Sequence, residues 1–179
     1  MNSNIVLQNI LRFLLLMLLQ VLVLNHVYLG GYITPFLYVL FILMLPTGMN
    51  KMWLLVLGFL TGFCADVFTN MLGFHTAVCT FVAFCRILFG DTMLTGGEDV
   101  VIDTPNFRNV GFQPIAVYLF IMLFVYHLLY FNLLIFSFRD LGRIFLCSFL
   151  STVVTWILAL IYQSFMPHSK ETVRTKNYR

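Results

Sequence analysis

Asp66 is the one carboxylate that falls inside an apolar stretch of this 179-residue chain. It follows Gly58 and Gly62 at four-residue steps, so all three share one face of a helix. His75 comes nine residues later, beyond a short polar break at Thr69-Asn70-Met71. A carboxylate in hydrocarbon is costly and turns toward protein or a polar cavity. Three roles stay open for it. It can accept hydrogen bonds from Thr69, Asn70 or the first amides of the next helix. It can act with His75, across the turn, as a buried polar anchor that fixes the hairpin or a partner. Proton or ion coupling is the third role. His127 lies mid-segment near Tyr126, Tyr130 and Asn132, where it is either a neutral histidine bonded to another helix or a ligand contact.

The remaining chemistry-bearing residues form no reactive pattern. HExxH, GxSxG and paired membrane carboxylates are all missing, and no serine–histidine spacing favours a dyad. Gly30-Gly31 and Gly96-Gly97 mark turns, since neither opens a phosphate-binding loop. Cys64, Cys79, Cys85 and Cys147 sit in apolar segments without zinc-ligand spacing, as small packing residues do. No basic face is interleaved with aromatics, as nucleic-acid binding would need. The expectation is a non-enzymatic chain with no cofactor and no metal.

The elements that must carry these residues are set by composition. The chain is 61% hydrophobic and 9% charged, with a mean hydropathy of +0.96. A soluble domain carries about 25% charged residues. The chain therefore reads as an all-α polytopic membrane protein, because its long unbroken apolar runs do not alternate as barrel strands do. Six transmembrane helices are expected, over 5–24, 30–45, 52–68, 72–89, 115–138 and 144–166. The second is short enough to thin the bilayer or to be partly re-entrant. Residues 1–166 form the membrane domain, with a polar loop over 90–114 and a polar tail over 167–179. The start of the chain lacks the basic region and cleavage site of a signal peptide.

Segments three and four make a helical hairpin. Gly58 and Gly62 permit close approach, and Thr76, Thr80 and Ala83 supply a second small-residue stripe. With both termini cytoplasmic, the inner flanks hold Lys51, Arg86, Arg108, Lys170, Arg174, Lys176 and Arg179. The outer flanks hold Arg139 and Arg143, and Arg12 also favours the inner side. That asymmetry places Asp66 near the outer face and the 90–114 loop in the cytoplasm.

The hairpin also carries a family resemblance. Gly62 and Asp66 ending one span, a short break, then Leu72-Gly73 opening the next with His75 following, resemble the rod shape-determining protein MreD family. Many relatives have proline before the Leu-Gly pair, where this chain has Met71. The resemblance implies a six-helix architecture similar to the substrate-binding subunits of energy-coupling-factor transporters. It implies a non-enzymatic subunit of the cell-elongation complex in the bacterial cytoplasmic membrane, supporting cell shape and peptidoglycan synthesis. The implied partners are an MreC-like protein, the MreB filament, a RodA-type polymerase and a penicillin-binding transpeptidase. Gly58, Gly62, Asp66, Leu72, Gly73 and His75 are then the structural and partner-binding candidates. The rival reading is a small-molecule-binding subunit of a vitamin transporter, which needs an outward-open cavity lined by polar side chains.

Overall fold

The computed structural model describes residues 3–26, 33–71, 73–97, 100–136, 138–165 and 174–175. Helix α1 spans Ser3–Leu22 and ends in a 3-10 turn at Leu24–His26. After an irregular stretch comes the short helix α2 (Val39–Leu43), then α3 (Lys51–Thr69) and α4 (Phe74–Cys85). A π-helical turn (Arg86–Gly90) joins α4 to α5 (Asp91–Thr95), followed by β1 (Val100–Val101) and α6 (Phe107–Val110). Two long helices, α7 (Phe112–Ile135) and α8 (Leu141–Ser164), complete the bundle. Strand β2 (Arg174–Thr175) pairs antiparallel with β1, Val101 facing Arg174.

Among the described residues, four helices are long and apolar enough to cross a membrane: Lys51–Thr69, Phe74–Thr95, Phe112–Ile135 and Leu141–Ser164. Alpha-helix α1 adds a shorter apolar stretch over Val6–Leu22. The chain is an all-α membrane protein. Its outward residues include Leu11, Leu18, Phe63, Val67, Phe145 and Phe149, a surface suited to lipid and not to water.

Local chemistry explains where the helices start and stop. Asn50 caps α3 by accepting from the Met52 amide at 3.0 Å, and Asn70 ends it in the left-handed conformation with φ 53°. The fourth expected span stays helical past its expected end, from α4 through the π-helical turn and α5 to Thr95. A charge ends an apolar run without ending a helix, and the stop comes at Gly96, with φ +65°. The 90–114 stretch thus begins as helix and holds two further short elements.

Helices α3 and α4 pack along each other, α7 and α8 do the same, and α4 joins the pairs through α7. The second apolar segment runs into the middle of this arrangement. Every residue from Pro35 to Thr47 is buried, yet regular helix is confined there to Val39–Leu43. Irregular backbone at membrane depth survives only inside protein, where its polar groups find partners. Its partners define the candidate site.

Candidate functional site

The hairpin corner is built by absence of side chain. A Cβ at Gly62 would lie 2.5 Å from both the His75 carbonyl oxygen and Thr76 Cα, and one at Gly58 would lie 2.7 Å from Ala83 Cβ. Helices α3 and α4 therefore touch backbone to backbone at Gly62. That contact brings Asp66, one turn later, over the start of α4. Its Oδ1 accepts from the His75 amide at 2.9 Å, and its Oδ2 accepts from the Thr76 amide at 2.9 Å and the Thr76 hydroxyl at 2.5 Å. Of the partners open to Asp66 on sequence grounds, the first amides of the next helix are the ones it takes. Thr69 turns back to the Ala65 carbonyl instead. The first amides of a helix have no partner within it, and an anion there also meets the positive end of the helix dipole.

Gly73 precedes α4 at φ +87°, and nothing would crowd a Cβ there, so glycine serves the backbone angle and not the space. Leu72 lies outside the described residues.

His75 meets Asp66 through its amide, while its ring turns inward, away from the pairing across the turn that the spacing had suggested. Its Nδ1 is 2.7 Å from the Tyr38 hydroxyl and 2.8 Å from the Tyr126 hydroxyl, and those two hydroxyls also bond each other. Its ring stacks on Tyr130 at 4.9 Å and meets Phe36 edge-on at 5.0 Å. Thus α4 and α7 grip the irregular segment through one histidine and two tyrosines.

His127 continues the same seam. Its Nδ1 lies 2.8 Å from the Leu123 carbonyl, and its Nε2 lies 3.3 Å from the Thr155 hydroxyl on α8. Phe36 stacks against its ring at 5.7 Å. Two hydroxyls of α8 serve the same segment: the Thr34 amide donates to Ser151 at 3.1 Å and the Phe36 amide to Thr155 at 3.4 Å. From α1, Gln20 accepts from the Leu37 amide at 2.8 Å and donates to the Pro35 carbonyl at 3.0 Å.

The other end of the segment is held by cations. Arg86 is fully buried and donates to the carbonyls of Ile42, Leu45 and Pro46. Tyr118 donates to Leu43 at 3.1 Å, and Arg12 to Met44 at 3.0 Å. These carbonyls lie at and just beyond the C-terminal end of α2, where a helix no longer supplies partners for all of them. Gly90 makes room for the arrangement, since a Cβ there would lie 2.7 Å from Arg86 Cγ. Reading Arg86 as a flanking charge misses this role. Its signal was a cation inside the 72–89 apolar run, three residues from the end.

Among the described residues, no three His, Cys, Asp or Glu side chains converge as a metal site would need. All four cysteines are free thiols. Most polar side-chain atoms of the seam bond to backbone amides, carbonyls and one another, so the arrangement mainly holds chain in place. Thr34 Oγ1 and Arg86 Nε are buried without a hydrogen bond. Beside the corner, on the outer side of α3 and α4, runs an open groove of about 1200 Å³, lined by Phe59, Phe63, Phe81 and Phe84 with Asp66 and Thr76 at one end. Comparison with protein-family models, curated proteins and solved structures finds no match.

Proposed function

We propose that this chain is a non-enzymatic membrane subunit of the bacterial cell-elongation complex, supporting cell shape and peptidoglycan synthesis by binding an MreC-like partner. One observation carries the reading. Two residues behind the MreD resemblance act together, Gly62 closing the α3–α4 contact and Asp66 capping the helix it approaches. The groove beside that corner supplies a membrane-embedded face on which such a partner docks. The MreB filament, a RodA-type polymerase and a penicillin-binding transpeptidase join through that assembly.

The topology that fits this reading has six crossings with both termini in the cytoplasm. Support for the second crossing comes from its contacts: Leu37 meets Gln20 late in α1, and Met44 meets Arg12 nearer its start, so the segment runs back along α1. Burial of Arg86 removes one cation from the inner flank, and the surplus over Arg139 and Arg143 remains.

Co-purification tests the reading. The chain, expressed with an MreC-like protein in bacterial membranes, is expected to retain it in detergent, and a Val67→Trp change in the groove wall is expected to reduce that retention without lowering membrane expression. No retention by the unaltered chain, with uptake of a vitamin conferred instead, would overturn the scaffold reading in favour of a transport subunit.

A further inference from the structure

The groove beside the hairpin corner is apolar along most of its length. Phe59 and Phe63 rise on one side, Phe81 and Phe84 on the other, and Ala77 lies between them. Lipid covers such a surface as well as protein does, so apolar exposure alone selects no occupant. One end is different, because Asp66, Asn70 and Thr76 put polar groups on the wall there.

The charge at that end is only half met within the chain. Asp66 accepts one bond on Oδ1 and two on Oδ2, out of about four lone-pair sites on a carboxylate. The positive end of α4 amounts to roughly half an elementary charge, which leaves about half a negative charge over. Among the described residues no cationic side chain makes up the difference: the bonds to Asp66 come from the His75 amide and from Thr76. The His75 ring is turned to Tyr38 and Tyr126 instead. Charge left over at membrane depth draws a cation from outside the chain.

Length decides which carrier of that cation fits. The α3 wall runs from Leu55 to Asn70, about 22 Å along the helix axis. One leaflet of a hydrocarbon core about 30 Å thick is only about 15 Å deep. A lipid whose ammonium reached Asp66 would end near the midplane and leave the Leu55 end bare. A single transmembrane helix, about 10 Å across, covers the whole length. It would occupy roughly 1,700 Å³ over that length, on the scale of the groove's 1200 Å³. A small residue at Ala77 lets its backbone come close.

We propose that the groove receives one transmembrane helix of a partner, and that this helix carries a lysine or arginine which pairs with Asp66. The cation lies about one turn from the end of the partner's apolar run, as Asp66 lies about one turn from the end of α3. The pairing rests on the docking role given to the groove above, and adds what the partner must bring to it.

The test uses the full chain in phosphatidylcholine vesicles, with synthetic leucine–alanine transmembrane peptides as probes. Each probe carries a mid-span diazirine and, one turn from one end, lysine, glutamine or leucine. Cross-links are expected within segments 59–63 and 77–84 of the chain. The lysine probe should bind about tenfold more tightly than the leucine probe, the size of one hydrogen bond to a charged group, with glutamine between them. Asp66→Asn should abolish the lysine preference while cross-linking persists. Ala77→Trp fills the groove floor and should remove cross-links from all three probes. Equal binding of the lysine probe and either of the others by the unaltered chain would overturn the pairing and leave the docking face standing. A lysine preference that survives in Asp66→Asn would do the same. So would one that disappears when phosphatidylethanolamine replaces phosphatidylcholine, since a lipid ammonium would then hold the carboxylate. Cross-links spread evenly over all outward faces would overturn the docking face itself, and the pairing with it. Should Asp66→Asn fail to fold, the ranking of the three probes on the unaltered chain decides alone.

Discussion

Replacing Asp66 separates shape, charge and hydrogen bonding at the corner that organises the hairpin. The carboxylate accepts three bonds, two of them from the first amides of α4, and is 5% exposed. Asp66→Leu leaves both amides without their carboxylate acceptor in a largely buried corner. At about 1–3 kcal/mol for each unsatisfied buried group, the loss comes to about 2–6 kcal/mol. Asp66→Asn keeps one oxygen and presents an NH₂ where the other stood. The Thr76 hydroxyl can turn to accept from that NH₂, so one amide is lost and the cost is about 1–3 kcal/mol. The expected order of stability is therefore unaltered chain, Asp66→Asn, then Asp66→Leu. Reversible unfolding in mixed micelles, followed by helical circular dichroism, gives the three free energies. Co-purification with an MreC-like partner at matched membrane expression should follow the same order. If Asn and Leu both come within about 0.5 kcal/mol of the unaltered chain, the normal range for featureless substitutions, the capping argument fails. Loss of vitamin uptake in Asp66→Asn at unaltered stability would point to a titrating role instead.

Gly62→Leu should cost more than the roughly 1–3 kcal/mol typical of overpacking, because backbone atoms on α4 already lie 2.5 Å from the new Cβ, whereas Leu57→Ile should change stability by less than about 1.5 kcal/mol; equal melting of the two variants would remove the close-contact argument. Arg86→Met leaves the Leu45 carbonyl unpaired and should lower stability by about 1–3 kcal/mol, with Arg86→Lys recovering part of the loss; thermal unfolding in detergent reads both, and no difference between Met and the unaltered chain would refute the anchoring of this segment by Arg86. Single cysteines at positions 99 and 175, in a cysteine-free background, should be shielded from an impermeant thiol reagent while the inner membrane is sealed; labelling of either would overturn the proposed orientation.

The hairpin was legible because its determinants are local. Gly58, Gly62 and Asp66 fall on one helix face by spacing alone, and the amides that Asp66 caps belong to residues nine and ten positions later. A short break forces the second helix back along the first, so close approach and capping both follow from some twenty-five residues of sequence. Composition likewise determined the solvent: with 9% charged residues the chain cannot cover itself against water. What sequence could not determine was the path of the second apolar segment. Hydropathy reports burial and not conformation, so a short apolar run reads alike whether it becomes a helix in lipid or an irregular strand inside protein. The partners that decide between these lie far off in the chain. Ser151 meets Thr34, Tyr126 meets Tyr38 and Arg86 meets Ile42, at separations of 117, 88 and 44 residues. The inward turn of the His75 ring has the same cause. Its amide answers to the neighbouring helix, but its imidazole answers to Tyr38 and Tyr126, which only the packed bundle brings within reach.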